Sequence, residues 1–149
     1  MTVRCATPKA KIRDIFKQHQ QRCYEALMRT LMYCGEQIVN KARDNSKPKS
    51  YKTQSGNLCS STGYILVHDG KIVTKSDFAT ILNGEEGSKK GEAFAKELAD
   101  KYDKGIALIV VAGMEYAVYV EDRGYDVLMS GEILADTLIP RMLKQLKLD

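Results

Sequence analysis

The strongest limit on how this chain can fold is a run of apolar residues at helical spacing between residues 9 and 42. The residues that share this spacing are Ile12, Ile15, Phe16, Cys23, Leu27, Leu31, Cys34, Ile38 and Ala42. Such spacing places apolar side chains on one face of a single α-helix. A helix of this length would reach ~50 Å, whereas a domain of 149 residues has a radius of gyration of only ~15 Å. We therefore expect part of the helix to project, to bend at Gly35, or to pack on a neighbouring chain.

A β-hairpin is predicted next along the chain. Apolar residues alternate over residues 63–68 and 71–75, and Asp69-Gly70 separates the two runs. Asp-Gly between two such runs is a strong hairpin signal. The run IALIVVA at residues 106–112 indicates a further, buried strand.

Helical spacing returns over residues 92–102 and in the leucine-rich C-terminal part of the chain. Ser130 is the expected N-cap of this last helix, and Pro140 is expected to kink or interrupt it. The predicted fold class is therefore α+β, with a long N-terminal helix, a small and largely antiparallel sheet containing the hairpin, and packing helices that include a C-terminal amphipathic helix.

Length and composition favour one domain over residues 1–149. Within it we expect an N-terminal arm at residues 1–8, a basic loop at residues 43–57 and a flexible, glycine-rich loop at residues 83–91. No apolar run approaches the ~18 residues of a membrane span, and the N-terminus lacks the apolar core of a secretory signal. No membrane partner is therefore expected.

The residue types that usually form catalytic or metal sites do not occur here in the patterns that such sites require. The four cysteines and two histidines include no CxxC pair, which disfavours a metal site and favours reduced thiols. The segment GEEGSKKG does not fit the phosphate-binding loop template. His68 and Asp69 are expected to point to opposite faces of a strand. We predict no catalytic residues, no metal and no cofactor, and hence a protein that is not an enzyme.

Charge is distributed unevenly along the chain. Residues 1–52 hold 12 Lys and Arg against 4 Asp and Glu, whereas residues 53–149 hold 11 against 15. This pattern is typical of a solvated helix face, of contact with an anionic partner, or of head-to-tail complementarity between identical subunits.

The basic loop contains the candidate residues for contact with DNA or another anionic partner, which are Lys41, Arg43, Lys47, Lys49 and Lys52. Phosphate contacts require charge rather than a sequence-reading motif. No helix-turn-helix, zinc-finger or RNP signature accompanies these residues. Non-specific DNA contact and a solvated or subunit-facing loop both remain open.

Two short segments carry a family resemblance. The first is SGNLCSSTGY at residues 55–64. The second is GMEYAVYVE at residues 113–121, and Gly124 follows it closely. In this order, between a long N-terminal helix and a leucine-rich C-terminal helix, they resemble a siphophage neck family of head–tail joining or tail-completion proteins, similar in kind to lambda minor tail protein Z. The chain departs from the family pattern at Cys59, at Thr62 and in the YDVL segment after Gly124.

The resemblance implies a structural virion protein that is assembled in the host cytoplasm. It implies a homo-oligomeric ring, with six subunits expected, that joins the head connector to the tail and contacts the neighbouring connector and tail proteins. Glu121, Arg123 and Tyr125 are the candidate subunit-interface residues. The alternatives are a tail terminator or head-closure protein of the same particle, and a small non-specific DNA-binding accessory protein.

Overall fold

One uninterrupted helix, α1 (Lys9–Arg43), begins directly after Pro8. The computed structural model describes residues 1–44 and 46–146. Asn45 in the predicted basic loop and residues 147–149 of the predicted domain lie outside the described residues. The later elements are α2 (Asn57–Ser60), β1 (Thr62–His68), β2 (Lys71–Lys75), α3 (Glu85–Ala99), β3 (Ile106–Ala112), α4 (Ala117–Asp122) and α5 (Met129–Gln145). The predicted α+β class is confirmed.

The three strands form one antiparallel sheet in the order β2-β1-β3. Asp69 and Gly70 make the hairpin turn between β1 and β2, with φ angles of 49° and 75°. Positive φ at both central residues defines the type I′ turn, whose twist matches that of the flanking strands. The predicted hairpin and the predicted strand over residues 106–112 are therefore confirmed.

Helices cover both faces of the central strand, β1. Ile65 and Val67 pack on the α3 side, in a core that includes Phe78. Leu66 packs on the opposite side against Met28 and Leu31 of α1, together with further residues of that helix. This division follows from the alternation of side chains along a strand.

The helix α5 completes the layer that contains α1. Cys34 and Ile38 of α1 pack against Leu138 of α5. This helix begins at Met129, so the prediction that Ser130 is its N-cap is wrong. Instead, a carboxylate oxygen of Asp126 accepts a hydrogen bond from the Ser130 backbone N–H at 3.0 Å. Pro140 lies within the helix and does not interrupt it.

The prediction of a flexible loop over residues 83–91 is wrong, because α3 already begins at Glu85. A Cβ placed on Gly87 would lie 2.0 Å from the carbonyl oxygen of Asn57, and one on Gly91 would lie 2.3 Å from that of Ser61. These glycines allow α3 to approach α2 and the start of β1 closely. The glycine pattern that suggested mobility is thus a packing surface.

Candidate functional site

The N-terminal half of α1 extends beyond the rest of the described structure. Of residues 9–22, only Ile12 is partly covered, and Ile15 and Phe16 are 56% and 70% exposed. The first fully buried residue of the helix is Met28. We call residues 9–22 the projecting segment.

Projection, rather than a bend, accommodates the length of α1. The helix continues through Gly35, where a Cβ would lie 2.8 Å from ring atoms of Tyr64. Gly35 therefore serves the close approach of α1 to β1. The apolar side chains of the projecting segment continue the stripe that faces the core further along the same helix.

The projecting segment is also basic. Residues 9–22 include five Lys or Arg and a single acidic residue, Asp14. An apolar stripe flanked by cations is typical of a helix that packs on an apolar surface with acidic surroundings. Large exposed apolar side chains that lie close together mark interaction sites on soluble proteins.

A contact between α1 and the hairpin marks the point where the projecting segment ends. The Tyr24 hydroxyl lies 3.1 Å from Nδ1 of His68, and Nε2 of His68 lies 3.4 Å from a carboxylate oxygen of Asp69. The expectation that His68 and Asp69 point apart is wrong, because Asp69 leaves strand geometry at its positive φ. His68 thus connects α1 to the hairpin turn.

The basic loop is only partly available to a partner. Lys47 is buried, donates a hydrogen bond to the Ala42 carbonyl at 2.6 Å, and lies 3.4 Å from a carboxylate oxygen of Asp126. Arg43 donates a hydrogen bond to the Thr62 carbonyl. Lys47 is therefore buried rather than presented to a partner, and the half-buried Arg43 bonds to the chain's own backbone.

The ion pair between Lys47 and Asp126 fastens this loop to the start of α5. Burial opposes the ionisation of Asp126, but the hydrogen bonds from Ser130 and the positive charge of Lys47 outweigh it and hold the pKa of Asp126 below its ordinary value. Charged partners that are both largely buried stabilise the arrangement only while both are present. Three cations of the predicted set remain exposed, namely Lys41, Lys49 and Lys52.

A cleft of about 200 Å³ lies beside the second half of this loop, lined by Tyr51 to Leu58 together with Tyr116 and Val120. The nearby thiol of Cys59 is buried, and burial raises its pKa above the ordinary value. A protonated thiol is a weak nucleophile. The cleft therefore does not contain an activated cysteine.

A second exposed surface lies on α4 and the first turns of α5. Its apolar side chains include Val118, Tyr119 and Ile133, which are 63%, 71% and 62% exposed. Exposed carboxylates accompany them at Glu115, Asp122, Glu132 and Asp136. We call these exposed side chains of residues 115–136 the acidic face.

The three predicted interface residues all fall within residues 115–136, but they differ in orientation. Arg123 and Tyr125 are exposed. The carboxylate of Glu121 instead accepts a hydrogen bond from the Leu128 backbone N–H at 3.2 Å, which joins α4 to the start of α5. Glu121 is therefore only partly exposed, and its carboxylate helps to hold α4 against the start of α5. The side chain of Tyr119 points to solvent.

Within the described residues, no group of three or more His, Cys, Asp or Glu side chains is placed to hold a metal ion. Of the helices described here, none is long and apolar enough to cross a membrane. No protein-family model, curated protein or solved structure matches the chain. The two features that distinguish the molecule are therefore the projecting segment and the acidic face.

Proposed function

We propose that this chain is a structural subunit of a tailed-phage particle, which forms a ring in the neck and joins the head connector to the tail. The observation that carries the proposal is the projecting segment, whose apolar side chains find no cover within the described chain. Burial of apolar surface contributes roughly 25 cal/mol per Å². An assembly subunit gains this contribution when it meets its neighbours.

The two segments that resemble the neck family support the proposal by their arrangement. Residues 55–64 include α2 and the start of β1, and residues 113–121 lead from β3 into α4. The Gly113 backbone N–H donates a hydrogen bond to the Ser61 carbonyl at 3.1 Å. The two segments are thus neighbours in space and form one continuous part of the fold.

In this proposal the protein acts in the virion, after assembly in the host cytoplasm, and its partners are further copies of itself and the adjoining connector and tail proteins. It performs no catalysis and needs no cofactor. The exposed Lys41, Lys49 and Lys52 would contact the phosphates of DNA that passes through the ring, without recognising its sequence.

Loss of the protein from an infecting phage tests this function. A neck subunit is needed only to join finished parts, so electron microscopy should show filled heads and tails of normal length that remain separate. Purified protein added to such an extract should restore joined particles. Normal joined particles in the absence of the protein would contradict the proposal.

The same experiment separates the alternative roles within the particle. A tail terminator stops polymerisation of the tail, so its loss should give tails of unregulated length. A head-closure protein retains packaged DNA, so its loss should give emptied heads. Either result would move the subunit to a different layer of the particle.

A second candidate function, non-specific DNA binding, is favoured by one observation, the three exposed lysines at or beside the basic loop. If this is the function, the Lys49→Ala, Lys52→Ala double variant should weaken binding and reduce the slope of log K against log salt by about 2. The matched control is Lys101→Ala, Lys104→Ala, which removes the same charge from exposed positions after α3. Equal loss in both double variants, or no binding by the parent protein, would exclude the loop as a DNA site.

A further inference from the structure

We infer that the acidic face of one copy receives the projecting segment of the next copy, in a head-to-tail contact between identical chains. This inference rests on the proposed function, because that function brings copies of the subunit together. It adds which two surfaces meet. Both surfaces are defined by exposed side chains of the described residues.

Apolar groups on the two surfaces are suited to each other. The projecting segment presents Ile15 and Phe16 from a helix, and the acidic face presents Val118, Tyr119 and Ile133. Beside Val118 lies a groove of about 250 Å³ that Phe94 and Met114 also line. This volume is sufficient for one aromatic side chain, and aromatic anchors in pockets contribute most of the energy in many interfaces.

The charges of the two surfaces indicate which partner binds. Residues 1–22 hold six Lys or Arg against one Asp, whereas the exposed side chains of residues 115–136 include four Asp or Glu against one Arg. Within the acidic face, Glu115 lies 3.7 Å from the ammonium group of Lys90. Asp122, Glu132 and Asp136 form no ion pair with any other described residue, so their charges are available to a partner.

A second copy satisfies both surfaces at once. DNA would be attracted to the projecting segment but repelled by the acidic face. An acidic protein partner would leave the acidic face uncovered in the same way. A copy of this chain brings one surface of each kind, so each contact covers the projecting segment of one subunit and the acidic face of the other.

The contact has to form between chains. The projecting segment continues rigidly from the part of α1 that packs against β1 and α5, so it cannot turn back onto its own acidic face. Contact between two different surfaces of identical subunits is heterologous, and it generates a closed ring when the rotation between subunits closes. The inferred contact therefore has the symmetry that a neck ring requires.

Site-specific cross-linking tests which surfaces meet. A photoreactive benzoylphenylalanine in place of Phe16 should form cross-links to residues 115–136 or to Phe94 of a second chain, identified by mass spectrometry of the dimer band. The matched control is the same group at Gln18, which lies about 200° around the helix from position 16. We expect at least a tenfold lower yield there. Cross-links to a different segment, or an equal yield from both positions, would overturn the inference.

Charge exchange gives an independent test. The Arg13→Glu, Lys17→Glu variant should assemble at least tenfold more weakly than the parent, as measured by light scattering after size exclusion. Mixing it with a Glu132→Lys, Asp136→Lys variant should restore mixed assemblies. The control Lys101→Glu, Lys104→Glu makes the same charge change outside both surfaces and should assemble normally. Failure of the mixture to recover, or equal weakening by the control, would overturn the contact.

Comparison with particle assembly distinguishes this inference from the proposed function. Cross-links at the inferred surfaces in a protein that phage assembly does not need would support the contact and contradict the neck function. A protein that is required for joining but stays monomeric at all concentrations and within extracts would overturn the contact alone.

Discussion

The two halves of α1 have the same kind of sequence pattern but opposite surroundings. Residues 9–22 carry apolar side chains that solvent reaches, whereas residues 28–42 place theirs against the sheet and α5. Apolar residues at helical spacing occur in both halves, and the polar residues 17–22 separate the two sets. Helical periodicity therefore reports which side chains favour burial, and it does not report whether the covering surface belongs to the same chain.

The largest expected effect is a difference between two equivalent truncations in this helix. Ile38→Ala removes a side chain that packs against Leu138 and should lower the free energy of unfolding by about 3 kcal/mol. Ile15→Ala in the projecting segment should change it by less than ~0.5 kcal/mol. Urea unfolding of the two variants at low protein concentration measures the difference. Equal losses would show that the projecting segment is buried within the monomer.

Loss of the ion pair between Lys47 and Asp126 should give the next largest effect on the free energy of unfolding. Asp126→Asn leaves Lys47 buried without its charged partner, and we expect a loss of about 2 kcal/mol. Because the pKa of Asp126 is lowered by folding, its contribution is present above the unfolded carboxyl pKa and is lost as the pH falls through the folded value.

Measurement of stability against pH checks this assignment. The difference between the parent and Asp126→Asn should be constant near neutral pH and should shrink in the acid range below about pH 4. A difference that does not depend on pH in that range would contradict the ion pair as its source.

Gly35→Ala tests why the buried half of α1, residues 28–42, contains a glycine. Helix propensity alone predicts stabilisation by about 1 kcal/mol. The added Cβ would however lie 2.8 Å from the buried ring of Tyr64, so we expect a net loss of about 1–2 kcal/mol. The control Gln20→Ala, at an exposed position of the projecting segment, should be neutral or slightly stabilising in thermal unfolding. A stabilised Gly35→Ala variant would mean that α1 and β1 separate easily.

The smallest expected effect on stability is that of Phe16→Ser. The side chain is mostly exposed, so the free energy of unfolding should change by less than ~0.5 kcal/mol. Self-association measured by light scattering should nevertheless fall. A variant that is destabilised, or that associates as the parent does, would remove the contrast between the two halves of the helix.

Local signals in the sequence were sufficient for much of the fold. The Asp69-Gly70 dipeptide specifies the turn that the backbone adopts, and the apolar run over residues 106–112 becomes β3. The length of α1 also indicated projection. In each case neighbouring residues contain the whole signal, because turn geometry and helix periodicity are local properties.

Two differences between expectation and structure originate in contacts between distant parts of the chain. The sequence of Gly84, Gly87 and Gly91 predicts a flexible loop, although their spacing also fits one face of a helix. That face packs against α2 and the start of β1. The sequence around Lys47 likewise indicates an exposed residue, because its partner Asp126 is distant in the sequence. The clustering of carboxylates after residue 114 is a signal for the acidic face. No signal in the sequence indicates that apolar side chains are exposed beside them.

The continuity of α1 also has a mechanical consequence. At 1.5 Å per residue, the fourteen residues of the projecting segment form a stiff arm of about 21 Å. A rotation of the folded part by about 10° would therefore move the tip of this segment by about 4 Å, roughly two thirds of the rise of one helical turn. Small changes in the tilt of the folded part are thus amplified into larger displacements at the tip, and in the inferred contact the neighbouring copy would move with it.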